Sequence, residues 1–442
     1  MPPPTILRAP WRDPIEVAGA FADEPFTLCL ISDGVGERGR WSYLARAPAE
    51  QLILRPSDPP EALAALSTLL GPPRPAQAGG PRFQGGIAGL ASYELGDRLE
   101  PLGLGRMPGW PDLACGRFER LLAFDHARRE VLAIGPDAAA ARATLSWLGA
   151  PAPPPAARGR LAAEIRTPDP AAHEAAVADV IARIAAGEIF QANIARAWTG
   201  ALAPGGRPFD LFVRLAGASP APFAAYLRLP GLALVSNSPE RFLQVTRADS
   251  ALIAETRPIK GTVPRGATPA EDERLAAALA ASAKDRAENL MIVDLMRNDL
   301  ARVATPGSVK VPALFAVERF ANVSHLVSTV TARLAPGRTG LDAFAAAFPP
   351  GSITGAPKLQ AMKVIAALEP PRGPFFGSMF WAGFDGALDS SVLIRTAAFA
   401  EQAGGWSFEA RAGGGIVADS DPAGERRETE AKIAAILAAL TT

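Results

Sequence analysis

Apolar residues recur along this chain at two spacings. The helical spacing holds after Asp169-Pro170, where Val177, Val180, Ile181 and Ile184 fall at i, i+3, i+4 and i+7 and Gly187 closes the segment. The strand spacing follows at once in EIFQANIARAW (188–198), with Phe190, Ala192 and Ile194 on one face and Gln191 and Asn193 on the other. FTLCLI (26–31) reads as a strand, and LLAFDHARREVLAIG (121–135) as a hairpin around His126 and Arg128. A helical region covers 269 to about 301. The last helix starts at Asp421-Pro422, and Ile433, Ile436, Leu437 and Leu440 form its apolar stripe.

Strands and helices alternate irregularly, and several strands are joined by short turns. That predicts an α+β protein with mainly antiparallel sheets rather than a doubly wound parallel one. The Pro/Ala/Gly-rich stretches 57–82 and 149–161 read as surface connections. The second separates an N-terminal portion, 1–150, from a denser region, 165–440.

Composition narrows the function. The 442 residues carry 45 basic and 45 acidic side chains, which leaves no electrostatic footprint for nucleic acid or an anionic membrane. The opening MPPPTILRAPWRDP lacks an apolar core of signal-peptide length, and no run reaches about 18 uncharged apolar residues. A soluble cytoplasmic protein is expected. Two cysteines, Cys29 and Cys115, make neither a disulfide framework nor a zinc cluster, and three histidines exclude a His-rich metal site.

Five groups of residues then stand out. Lys260 in ETRPIKGT sits between Pro258 and Gly261, on what reads as a stiff, tightly turned segment. The ordinary role for such a lysine is a solvated cation beside a turn. Asp285 and Glu288 share a helix face with Ile292 and Leu295, an expensive place for two acids without a cation. Glu425, Glu428 and Lys432 share a face of the last helix, with Glu428 and Lys432 spaced as a surface ion pair. If the two helices face each other, Glu288 and Glu428 would offer oxygens to a hard cation, and magnesium suits one or two carboxylates plus water and substrate.

Glycine-rich turns occur in PGSITGAPK (350–358) and AGGGIVADSDP (412–422). Neither fits a phosphate-binding loop or a dinucleotide fingerprint, although the N–H groups of Gly413, Gly414 and Gly415 could cradle a carboxylate. Glu240, His325 and Arg395 each interrupt an apolar, strand-like run.

Taken together, GEIFQANIARAW, SNSPERFL, TRPIKGT, SAKDRAENLMIVDLMRNDLARV, HLVSTV, FPPGSITGAPKLQAM, IRTA and AGGGIVADSDPAGERRETEAK resemble the chorismate-utilising enzymes, in that family's order. The resemblance covers roughly 165–440 and is loose before it. It implies two interlocked α/β halves, with large antiparallel sheets packed face to face, helices outside and a cleft that holds chorismate through Mg2+. It further implies Glu288 and Glu428 as direct magnesium ligands, and Asp285 and Glu425 as ligands through water. Arg395 would bind the side-chain carboxylate, and Lys432 with Gly413–Gly415 the ring carboxylate. Thr354 and Gly355 would line the pocket, with His325 near the ring.

Within this family the water-using members carry a lysine base where this chain has Gln191, as the ammonia-using members do. Anthranilate-forming members have alanine in the position of Lys260. A lysine there implies a covalent nucleophile that displaces the distant ring hydroxyl, with Glu240 as the general acid. Phe375 stands where anthranilate-forming members hold a substrate-contacting tyrosine, and Phe380-Trp381 where Gly-Tyr is common, so the bulk of Phe380 is expected to reshape the cleft. CLISDG (29–34) matches the family's amino-acid-binding motif poorly, and no feedback site is expected. Neither TLCLI nor LACGRF has a glutaminase elbow, so ammonia is expected from a separate glutaminase subunit.

Overall fold

The computed structural model describes residues 2–34, 36, 39–59, 61–151, 159–248, 251–319 and 323–442. The chain folds as α+β, with two large sheets whose pairings are antiparallel throughout the described residues. Helices cover them. In the larger sheet, Leu28–Ile31 pairs with Phe223–Leu229, and Gln191–Leu202 lies beside Gly405–Ile416. In the other, Gly86–Ala91 pairs with Ser378–Gly383. Both sheets therefore combine strands from the first 150 residues with strands from the remainder.

The apolar core joins the same parts: Tyr43, Phe83 and Leu90 share one cluster with Phe344, Phe380 and Leu388. A second cluster gathers Trp198, Phe209, Phe212, Ile433, Ile436 and Leu440, seating the helices Pro208–Ala218 and Pro422–Thr441. A third seats Val177 and Val180 against Ala192, Ile194 and Val364. Burying one large aliphatic or aromatic side chain contributes about 1.5–3 kcal/mol.

Local expectations hold at many points. The hairpin forms with Leu121 opposite Ile134 and Asp125 opposite Glu130. Asp169 caps Pro170–Ala185 by accepting from Ala171 N, and Asp421 caps the last helix by accepting from Gly424 N. Ile433, Ile436 and Leu440 are buried, while Leu437 is partly exposed.

Others need correction. The 269–301 region is two helices, Pro269–Ala281 and Ala283–Ala301, because Ser282 is extended and caps the second by accepting from Asp285 N. The stretch 57–82 contains the helix Ala62–Leu70, held by buried Leu66 and Leu69. Phe190 precedes its strand and is 70% exposed, so the apolar face begins at Ala192. Part of the 149–161 connection, residues 152–158, lies outside the described residues.

Candidate active site

A cleft of about 690 Å3 opens between the sheets and two helices, and most of the singled-out side chains converge on it. Lys260 enters from the strand Ile259–Pro264 rather than from a tight turn. That strand breaks register against Val323–Arg333 between Ile259 and Thr262, where Gly261 adopts φ +80°. A side chain at Gly261 would press to 2.8 Å of Asp285 Cγ, so the glycine lets the acidic helix come close.

That helix and the last one supply the acids. Asp285, Glu288, Glu425 and Glu428 all line the cleft, together with Lys260, Lys284 and Lys432. Lys260 Nζ lies 3.3 Å from Glu288 Oε2, and Lys284 Nζ lies 4.0 Å from Glu288 Oε1. Lys432 Nζ is 2.7 Å from Glu428 Oε1 and donates to Gly413 O at 2.8 Å. Burial pushes the Glu428 carboxyl up, but Lys432, Lys260 and Lys284 outweigh it and hold the group below its ordinary range. Burial raises the neighbouring Glu425 carboxyl, and the Glu428 charge adds to this against a hydrogen bond from Ser420.

The acids suit a hard cation. They present carboxylate oxygens on one wall, close to ammonium groups that already balance them. Among the described residues no group of three or more ligating side chains is gathered into a metal cluster. Magnesium bound through one or two carboxylates needs none.

Glu240, Arg395 and His325 complete the lining. Ser352 Oγ donates to Glu240 Oε1 at 2.7 Å, yet burial still raises the Glu240 carboxyl above its usual range. Arg395 has φ +51°, and burial depresses its guanidinium against the pull of Glu240. His325 shares a 2.8 Å hydrogen bond with Thr262 Oγ1, and burial, then Arg395, holds its ring below the usual imidazole range.

Gly413–Gly415 forms the floor. Its strand pairs with Thr396–Gln402 no further than Arg411, so beyond that point one edge of the glycines has no strand beside it among the described residues. A side chain at Gly414 would meet Glu425 Oε2 at 2.9 Å, and one at Gly415 would meet Lys260 Nζ at 2.9 Å.

Some residues sit elsewhere than expected. Thr354 is fully buried behind Ser352 and Ile353, and its hydroxyl turns to the carbonyls of Pro350 and Gly351. Gly355 is likewise behind the lining, pressed on the Gln191 carbonyl. Phe375 is buried with its ring under Arg411, and Phe376 reaches the cleft instead. Phe380 packs on Phe344 and Trp381 stacks on Phe83, so their bulk fills the core and leaves the cleft unaltered.

Sequence reasoning missed Asn193, Lys284, Ser352 and Arg411 as lining residues. It also missed Arg372, whose buried guanidinium donates to the carbonyls of Ile353 and Asn193 from behind the wall. Glu94 from the N-terminal portion accepts the Arg372 and Gly373 N–H groups. Ser352, a polar residue amid glycine and proline, and Asn193, on the polar face of its strand, gave a local signal.

The family model for chorismate binding enzymes matches residues 31–438. The chain belongs to that family. The match takes in most of the N-terminal portion, which the motifs alone left loosely placed. Aminodeoxychorismate synthase component 1 of Klebsiella aerogenes is 45% identical over 80% of this chain and 77% of its own length. Anthranilate synthase component 1 of Streptomyces coelicolor is 40% identical over 93% of this chain and 82% of its own. The crystal structure of anthranilate synthase component I from Streptococcus pneumoniae superposes with a TM-score of 0.79 at 28% identity, covering 90% of this chain and 92% of that one. Most of the residues singled out in the sequence line the cleft of this chorismate-binding enzyme. Among the described residues no helix is long and apolar enough to cross a membrane.

Proposed function

We propose that the chain acts as aminodeoxychorismate synthase component I, converting chorismate and ammonia to 4-amino-4-deoxychorismate for p-aminobenzoate and folate synthesis. Lys260 carries this reading: a lysine amine projects into the cleft beside Glu288, where anthranilate-forming members have alanine.

In the proposed reaction the Lys260 amine adds to the ring carbon beside the carboxylate-bearing one. Both double bonds of the ring diene shift by one position, the C–O bond to the distant hydroxyl breaks, and that oxygen leaves as water with the Glu240 proton. Ammonia then bonds to the vacated carbon, both double bonds shift back, and Lys260 leaves as the free amine. The new ammonium group returns a proton to Glu240, so the sum is chorismate plus ammonia to product plus water. Burial raises the Glu240 carboxyl, the direction that favours the protonated form a general acid needs.

Arg395 would orient the side-chain carboxylate, and Lys432 with the open glycine edge the ring carboxylate. Glu288 and Glu428 would hold Mg2+ directly, with Asp285 and Glu425 through water; when bound, the ion supplies positive charge for the substrate carboxylate. A separate glutaminase subunit would deliver the ammonia. Incubation with chorismate, Mg2+ and an ammonium salt tests the reading: aminodeoxychorismate is expected. Anthranilate would favour the activity named for the Streptomyces coelicolor relative, and no product would leave a binding protein.

A further inference from the structure

Among the described residues, two buried amides on the strand Gln191–Leu202 carry atoms without hydrogen-bond partners. Gln191 is 0% exposed and neither its Nε2 nor its Oε1 is paired; Asn193 is 5% exposed and its Oδ1 is unpaired. Buried polar groups are nearly always satisfied, and those that are not require an explanation. These two are i and i+2 on one face, while Ala192 between them packs on the helices behind.

Both amides lean over the glycine floor. A side chain at Gly413 would come to 2.7 Å of Asn193 Oδ1, and one at Gly415 to 2.5 Å of Gln191 Nε2 and 2.9 Å of Lys260 Nζ. The glycines therefore admit the amides to the side of the cleft where the Lys260 nitrogen ends, and Asn193 lines the cleft itself. Behind it, Arg372 fixes the strand by donating to Asn193 O, which holds the unpaired Oδ1 in place without using it.

The geometry points to Asn193, with Gln191, as the seat of the ammonia nucleophile, a site that rests on the proposed amination of chorismate. Ammonia has three N–H donors and one lone pair. The unpaired Asn193 oxygen matches one of its donors and leaves the lone pair free toward the ring, while the Gln191 amide nitrogen lies on the Lys260 side. Neither amide can take up a proton from ammonia or give it one, so the nucleophile stays neutral. A water molecule in the same seat meets no base among the two amides, which fits a site that admits ammonia without activating water.

The test compares the parent with Asn193→Ala and Asn193→Leu, using ammonium chloride as the nitrogen source and free ammonia as the variable. At saturating chorismate, both variants should raise KM for ammonia at least tenfold. KM for chorismate should stay within about twofold. Asn193→Leu removes an unpaired buried carbonyl at similar volume, so its melting temperature should equal or exceed the parent's, which separates the effect from misfolding. An unchanged KM for ammonia, or a parallel rise in both KM values, would overturn the seat. Failure of the underlying reading shows differently, as a parent enzyme that forms no ammonia-dependent product.

Discussion

Lys260 Nζ stands 3.3 Å from Glu288 Oε2, with the two side chains 16% and 14% exposed. The lysine is thus a counter-ion to a carboxylate, and in the proposed reaction it is also the nucleophile. Substitution separates the two roles. Lys260→Arg keeps the charge but cannot attack, because a guanidinium stays protonated. It should lose aminodeoxychorismate formation by about a hundredfold or more, as should Lys260→Ala. Chorismate without ammonia should leave a substrate-derived mass on the peptide that contains residue 260. A Lys260→Arg enzyme with more than about half the parent rate would return the lysine to its ion-pair role.

Glu288→Gln and Glu428→Gln each remove one carboxylate charge with little change in shape. A magnesium site with one or two carboxylate ligands has none to spare, so turnover should be abolished while the melting temperature changes little. Titration calorimetry with Mg2+ on the chorismate-loaded protein should show binding by the parent and none by either variant. Near-normal rates at ordinary magnesium would sink the assignment.

The purified chain should use ammonium salts at raised pH and ignore glutamine. Cys29 and Cys115 are both buried in the sheets, and burial pushes both thiols far up, away from the reactive thiolate. Glutamine-dependent product from this chain alone would contradict the two-subunit reading.

Glu240 gives a pH prediction with a definite sign. A general acid works protonated, and burial raises this carboxyl, so the chemical step should fall as pH climbs through the raised value. Ser352 donates to the carboxylate and favours the charged form, so Ser352→Ala should raise Glu240 further and move the falling limb to higher pH. Glu240→Gln should slow the reaction about 10^2–10^4-fold and erase that limb. Rates read at constant free ammonia would decide; a limb unmoved by Ser352→Ala would remove Glu240 from the role.

Much of this was legible in the sequence because it depends on local spacing. Caps at Asp169 and Asp421, the hairpin at 121–135, and the shared faces of Asp285/Glu288 and Glu425/Glu428 follow from periods of 3.6 and 2. What lay hidden depends on distant partners. Nothing near Arg372 in the chain announces that it binds the carbonyls of Ile353 and Asn193, or that Glu94 holds its backbone. The family resemblance put Thr354 in the lining, where its neighbours Ser352 and Ile353 do lie, yet its hydroxyl is spent on the carbonyls of its own turn.

The pairing of Gly86–Ala91 with Ser378–Gly383 also sets a timetable for synthesis. A ribosome adding about 5–20 residues per second needs roughly 15–60 s to produce the second strand after the first. Throughout that interval the strand holding Leu90 has Leu113–Phe118 on one side and a bare edge on the other. Bare apolar edges recruit other chains, so this protein's exposure to aggregation is concentrated before Ser378–Gly383 emerges. Expression conditions that slow translation should prolong that exposure, whatever the stability of the finished fold.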